Sequence, residues 1–233
     1  MSTLRGKTAL VTGSTSGIGL AMAVALAKQG ANIMMNGFGE KEAAVASVKA
    51  CGVEVDYHGA DMSKPAEIEA MIAATEKRFG AIDILVNNAG IQYVANVEDF
   101  PEERWDAVIA INLSSAFHTT RFALPGMKQR NWGRIINIAS VGGLRAESGL
   151  GVYNLTKAAI IHLTRQLAGE IGPNRVVGIA PGLVRTDFAA HLVDNFGDSL
   201  AARLPLERLG MPQDIANLAV FLLSEIGRAS CRE

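Results

Sequence analysis

The sequence predicts one doubly wound α/β domain, and three observations carry that prediction. Short apolar runs alternate with stretches of helical composition along most of the chain. The runs are apolar enough to sit in a parallel sheet covered on both faces. The residues that carry chemistry fall just after those runs, at the carboxyl ends of the strands, where such sheets hold ligands.

Taken in order, Lys7 to Val11 is expected as the first strand, closing in a glycine-rich turn. An alanine-rich helix from Ile18 to Lys28 follows, then strand Asn32 to Met35, helix Glu40 to Ala50, strand Val53 to Tyr57 and helix Pro65 to Phe79. Next come strand Ile82 to Val86, a helix from about Glu102 through Thr120, and strand Arg134 to Ile138. Helix Tyr153 to Glu170, strand Arg175 to Ile179 and helix Gln213 to Leu223 complete the pattern. Gly13, Asp61, Asn88, Ser140 and Pro181 each lie just beyond a strand.

With 233 residues, 49% of them hydrophobic, the chain can bury the core of a single domain. A net charge of −1 gives no electrostatic reason to bind nucleic acid or an acidic membrane. Cys51 and Cys231 stand far apart without metal-ligand spacing, and His58, His118, His162 and His191 are scattered, so no metal site is expected. That cysteine usage suits a reducing compartment. There is no signal-like N-terminus and no bilayer-length apolar run, so a soluble cytoplasmic protein is expected.

The first candidate site is Thr12-Gly13-Ser14-Thr15-Ser16-Gly17-Ile18-Gly19. Gly13 permits a tight exit from the strand, and Gly17 and Gly19 let a pyrophosphate approach the helix start, where unpaired N–H groups favour negative charge. The second is Tyr153 and Lys157, one helical turn apart and so on one helix face, with Ser140 at the end of a strand. A tyrosine titrates near ~10, so acid/base work at neutral pH requires stabilising its anion by roughly 3–4 kcal/mol. A lysine charge at ~4–5 Å supplies about that much at an effective dielectric of about 20. These groups point to hydride exchange between a nicotinamide and a secondary alcohol or ketone.

With these motifs on the page, Asn87-Asn88-Ala89-Gly90 and Pro181-Gly182 added, residues 4 to 224 resemble the short-chain dehydrogenase/reductase superfamily. The resemblance implies a Rossmann-like fold and a small-molecule alcohol or ketone as substrate. It implies that Ser140 hydrogen-bonds the substrate oxygen, Tyr153 transfers the proton, Lys157 activates Tyr153 and binds the ribose, and Asn112 holds a water leading from Lys157 to solvent. Gly13, Ser14, Thr15, Ser16, Gly17, Ile18, Gly19, Phe38, Asp61, Met62, Asn88, Ala89, Gly90, Pro181, Gly182, Val184 and Thr186 would line the cofactor, with Asp61 at the adenine and Val184 and Thr186 at the carboxamide. Asn36-Gly37-Phe38-Gly39 shows neither an acid nor a cation at the ribose 2′ position. A 2′-phosphate would go uncompensated there, so NAD is expected over NADP.

Residues 6 to 141 are most similar to the bacterial 3-hydroxybutyrate dehydrogenases, a branch of that superfamily in which a glutamine, a histidine and a lysine help hold the substrate carboxylate. Gln92 matches the glutamine; Gly142 and Leu150 stand at the other two positions. Residues 144 to 224 resemble the broader carbonyl and 3-oxoacyl reductases, which suggests a mosaic and leaves an NADP-dependent reductase as the alternative, with a non-catalytic dinucleotide-binding protein as a third reading. Val177 stands where the superfamily usually has asparagine. The superfamily also continues past Ser224 into a final edge strand. Residues 225 to 233 instead read, when back-translated, as a sequencing adapter, so the domain is expected to span 1–224, to lack that strand, and to carry a non-native tail. A homotetramer is what the resemblance implies for an intact chain.

Overall fold

The computed structural model describes residues 4–146, 148–171, 174–225 and 227, and the backbone alone of His191 and Phe196. Six parallel strands form one sheet in the order β3-β2-β1-β4-β5-β6. They are β1 (Thr8–Val11), β2 (Asn32–Met35), β3 (Val55–Tyr57), β4 (Ile84–Asn87), β5 (Arg134–Ile138) and β6 (Arg175–Ile179). The chain builds outward from β1 to β3, then crosses back to place β4 on the other side of β1. That reversal opens a crevice beyond the strand ends, between the loops after β1 and β4.

Period-two alternation assigns each strand residue to one of two cores. Ala9, Val11, Ile33, Met35, Ile84, Val86, Ile136 and Ile138 face a layer made by α1 (Gly17–Lys28), α2 (Glu42–Lys49) and a C-terminal helix, Pro212–Leu223. Leu10, Met34, Leu85 and Ile135 face α3 (Pro65–Phe79) and the long helix that precedes β5. Both faces are covered, which is why the strands read as apolar throughout. Each fully buried Leu or Ile contributes about 1.5–3 kcal/mol, and together they fix the register of the strand ends. In that register Val11 lies beside Met35 and Val86, and Asn87 beside Asn137.

The long helix departs from expectation. α4 (Glu102–Ile109) passes through a π turn at Ala110–Ser114 into α5 (Ser115–Gln129), nine residues beyond the expected end at Thr120. Pro125 lies inside it, but Ala123 and Met127 are fully buried, and their packing outweighs the local preference against helix. α6 (Gly151–Glu170) follows β5 after a short 3₁₀ turn at Val141–Gly143. Between β6 and the C-terminal helix, now α8, lies α7 (Ala190–Ala201), which sequence reading left out. Its Asp194, Asn195, Gly197 and Asp198 are weak helix formers.

No helix among the described residues is long and apolar enough to cross a membrane. Nor do the described residues hold a group of three or more His, Cys, Asp or Glu side chains that could bind a metal. Cys51 is a free thiol. Of the expected tail only Glu225 and Gly227 are described. Glu225 accepts a hydrogen bond from the buried guanidinium of Arg134 and lies 3.8 Å from Arg175. Residue 226 and residues 228–233, Cys231 included, lie outside the described residues.

Candidate active site

The glycine turn joins β1 to α1 and is stitched to the end of β4. Gly13 has φ +61° and Gly17 φ +54°, a region that side-chain-bearing residues rarely adopt. A Cβ at Gly19 would lie 2.1 Å from the Gly13 carbonyl oxygen and 2.6 Å from Asn88 Nδ2. The Asn88 amide donates to the carbonyl oxygens of Thr12 and Gly13, both at 2.9 Å. The backbone N–H groups of Asn88 and Ala89 both donate to the Thr12 hydroxyl at 3.0 Å. α1 starts at Ser16 with no side-chain cap and no acid in its first turn, so its positive end is open to an anion. Thr186 lies over the turn, its methyl 3.3 Å from where a Cβ on Gly17 would stand. An uncapped helix start beneath a close-packed glycine turn fits a dinucleotide pyrophosphate.

Several residues expected at the cofactor are engaged elsewhere through their side chains. The Ser14 hydroxyl donates to the Asn36 carbonyl at 3.2 Å and accepts from the Asn36 N–H at 3.1 Å, fastening the turn to β2. The Thr15 hydroxyl donates to the Phe38 carbonyl at 2.9 Å, while Phe38 itself is 61% exposed. Met62 packs in the core, which leaves only its backbone for a ligand. Asp61 caps the approach to α3: Oδ1 accepts from the Ser63 N–H at 2.9 Å and the Ser63 hydroxyl at 2.7 Å. Those bonds, with the Lys64 charge, hold its carboxyl below the usual range. Asn36 is fully buried, its amide donating to the carbonyls of His58 and Ala60, so it does not face the ribose region. A cation does stand at that edge. Lys41 Nζ lies 4.3 Å from the ring centre of Tyr57, whose hydroxyl donates to the Gly37 carbonyl at 2.6 Å.

The second cluster gathers where β5 meets α6. Ser140 follows β5, and its Oγ accepts the Gly142 N–H at 3.1 Å. Lys157 Nζ donates to the Ile138 carbonyl at 2.8 Å, two residues upstream of Ser140, and lies 5.5 Å from the ring centre of Tyr153. One strand end therefore presents the serine and anchors the ammonium that α6 carries four residues after Tyr153. Lys157 is 4% exposed, and burial lowers its pKa from 10.5 to about 8. The ammonium still predominates at neutral pH.

Asn112 stands at the π turn. Its Oδ1 accepts the Ile91 N–H and its Nδ2 donates to the Ile91 carbonyl, both at 2.8 Å, with Thr156 Oγ1 at 3.3 Å from Nδ2. Its side chain thus clamps the loop after β4 to α6. A Cβ at Gly90 would lie in ordinary contact with Asn112 Oδ1 at 3.4 Å and Lys157 Nζ at 3.6 Å, so the loop after β4 runs close past both.

At the mouth, Gln92 Nε2 donates to the Phe188 carbonyl at 2.9 Å, and the Phe188 ring centre is 6.1 Å from that of Tyr153. The Pro181 carbonyl accepts the Val141 N–H at 3.0 Å, and Val184 is buried where it bridges to Gly210; Gly182 is exposed. Gly142 and Leu150 bring no charge, and Arg185 is exposed, 3.9 Å from Asp198.

Sequence reading missed the polar backing of the site. Asn87 Nδ2 donates to Asn137 Oδ1 at 2.9 Å, the Thr119 hydroxyl to Asn87 Oδ1 at 2.7 Å, and Asn137 Nδ2 to the Thr164 hydroxyl at 3.0 Å. An asparagine inside the apolar run of β5 was the available signal, since a buried amide needs partners.

A tyrosine ring 5.5 Å from a buried ammonium, a serine just past the strand end that holds that ammonium, and a glycine turn that fits a dinucleotide are equipment for moving a hydride and a proton at a CH–OH carbon. The class is that of the nicotinamide-dependent oxidoreductases. The chain belongs to the short chain dehydrogenase family, whose model matches residues 7–196. It is 51% identical over 241 residues to D-beta-hydroxybutyrate dehydrogenase of Cupriavidus necator, covering 97% of this chain and 93% of that one. The enzyme of the same name from Rhizobium meliloti is 52% identical over 237 residues, covering 94% and 92%. Both alignments run through the two segments that resemble different branches. Among solved structures, that of levodione reductase superposes with a TM-score of 0.90 at 33% identity, covering 95% of this chain and 92% of the other.

Proposed function

We propose that this protein is an NAD-dependent dehydrogenase of a 3-hydroxybutyrate-like 3-hydroxy acid. The reading is carried by identity above 50%, nearly end to end, with two enzymes named for that substrate. Gln92, beside the Phe188 loop that packs near Tyr153, is the side chain available to the acid's carboxylate. Reaching it means exchanging the Phe188 carbonyl for that carboxylate.

A nicotinamide bound here would supply the hydride acceptor or donor for the substrate carbon. Gly13 to Gly19 would hold its pyrophosphate, Asp61, Asn88, Ala89 and Gly90 the adenosine side, and Pro181, Gly182, Val184 and Thr186 the carboxamide. Tyr153 removes the proton from the alcohol oxygen in oxidation and returns it to the ketone in reduction. Ser140 donates a hydrogen bond to the same oxygen. Taking the 5.5 Å from Lys157 Nζ to the ring centre of Tyr153 as the separation, the ammonium stabilises negative charge on the phenol by about 3 kcal/mol at an effective dielectric of about 20. Asn112 holds the loop after β4 so that Gly90 and Lys157 stay in register.

A second reading, an NADP-dependent carbonyl or 3-oxoacyl reductase, is favoured by Lys41 at the Gly37 edge and by the uncharged Gly142 and Leu150. We further propose a homo-oligomer in a cytoplasmic setting, a second copy covering the exposed Trp105, Phe117 and Leu155 on α4, α5 and α6. The deciding assay follows cofactor absorbance with 3-hydroxybutyrate and with its methyl ester, using NAD and NADP in turn. The expected result is turnover of the acid with NAD at a kcat/KM at least about ten-fold above the ester, the worth of one charge-assisted hydrogen bond. Equal efficiency on acid and ester rejects the carboxylate reading.

A further inference from the structure

Among the described residues, one buried amide beside the catalytic group has no partner. Asn154 follows Tyr153 on α6 and is 8% exposed, and neither its Oδ1 nor its Nδ2 is hydrogen-bonded. An unpaired buried polar group costs about 1–3 kcal/mol, so packing alone would favour an apolar residue here. The surroundings are nevertheless shaped for the amide. A Cβ at Gly142 would lie 2.1 Å from Asn154 Oδ1 and 3.5 Å from Ser140 Oγ. Any side chain at 142 would displace the amide, and across this glycine Asn154 and Ser140 converge on one point.

Ser140 has capacity for the contact. A hydroxyl has two acceptor sites and one donor. One acceptor site takes the Gly142 N–H, and the donor is needed for the substrate oxygen, which leaves one acceptor site toward Asn154. The amide and Ser140 Oγ are not hydrogen-bonded as they stand; rotating the carboxamide by half a turn places an N–H on the Gly142 side, from which a side-chain shift on substrate binding would reach that site. A hydroxyl that accepts two hydrogen bonds is polarised to donate a stronger third.

We propose that Asn154 is a positioning residue for Ser140: with substrate bound, its Nδ2 donates to Ser140 Oγ and directs the serine hydrogen at the substrate oxygen. The proposal rests on the oxidoreductase reading of Ser140 and Tyr153 and is indifferent to which alcohol or ketone is turned over.

The test is a double-mutant cycle. Asn154→Leu, similar in shape but without polar atoms, and Asn154→Ala are made in the wild type and in Ser140→Ala. With the best substrate, kcat, KM, NADH affinity and melting temperature are measured for each. The expected result is a kcat about ten-fold lower when Ser140 is present, equal to about 1.4 kcal/mol of transition-state stabilisation. In Ser140→Ala the same substitutions should change kcat by no more than about two-fold, because the serine through which Asn154 acts is gone. KM and NADH affinity should hold, and Asn154→Leu should melt no lower than its parent. Wild-type kcat in Asn154→Leu overturns the proposal and leaves Asn154 as packing. So does an equal loss in the Ser140→Ala background, which marks general distortion. A wild-type protein that turns over no alcohol or ketone removes the oxidoreductase reading itself, and this proposal with it.

Discussion

Burial of Lys157 carries a free-energy cost that pH can remove, and Lys157→Met should expose it. The lysine titrates near 10.5 when free and at about 8 in the fold, with desolvation as the cause. Below pH 8 both states bind the proton and the folded state bears the full cost, which at about 1.4 kcal/mol per pH unit is about 3 kcal/mol. Between pH 8 and 10.5 the unfolded chain holds a proton that the folded chain has released, so stability rises with pH across that window. Methionine keeps the length of the side chain and removes the charge. Its altered packing and the lost bond to the Ile138 carbonyl do not titrate, so they add a constant to the stability difference between variant and parent. That difference should therefore fall by about 2–3 kcal/mol from pH 7 to pH 10. Urea unfolding of the cofactor-free protein at half-unit pH steps measures it, with both chains in a Tyr153→Phe background so that the neighbouring phenol does not titrate. A difference constant over that range would mean that the ammonium is hydrated, and the structural basis for its action on Tyr153 would fall.

Two further substitutions test the groups around it. Tyr153→Phe removes only the hydroxyl and should lower kcat by at least about 10²-fold, the low end of general acid–base catalysis, while NADH affinity measured by fluorescence largely survives. A variant keeping more than a few per cent of the rate would remove Tyr153 from proton transfer. Gly19→Ala places a methyl 2.1 Å from the Gly13 carbonyl oxygen, a backbone atom that cannot yield cheaply. Weakened NADH binding and a lowered melting temperature are expected, and an unchanged titration curve would contradict the packing of the cradle.

Much of the fold was legible because the signals were local. β2, β5 and β6 have the bounds that their apolar runs predict, and α3 spans Pro65 to Phe79 because proline starts it and Gly80, at φ +84°, ends it. α7 and the π turn were not legible: the first lacks strong helix formers, and a single wider turn inside a helix leaves no mark in the local composition. The site divides in the same way. Tyr153 and Lys157 share one helix face, so spacing alone pairs them. Thr12 with Ala89, Asn87 with Asn137, Lys41 with Tyr57 and Asn154 with Gly142 meet only through register and packing. No pattern along the chain encodes those contacts.

The cost at Lys157 and its usefulness have one origin. Desolvation lowers its pKa, and no carboxylate among the described residues contributes to it. A lysine paired with an acid would be raised instead, as Lys64 is by Glu67 and Asp61, and its field would be largely cancelled at a neighbouring phenol. Among the described residues a carbonyl oxygen, not a carboxylate, holds Lys157, which costs stability and keeps the field directed at Tyr153. The six-stranded sheet can bear that cost because its cores cover both faces, and the residue that fixes the ammonium, Ile138, also packs in one of those cores. Stability and activation are therefore opposed at this residue, and any substitution that relieves the burial of Lys157 should also weaken its hold on the tyrosine.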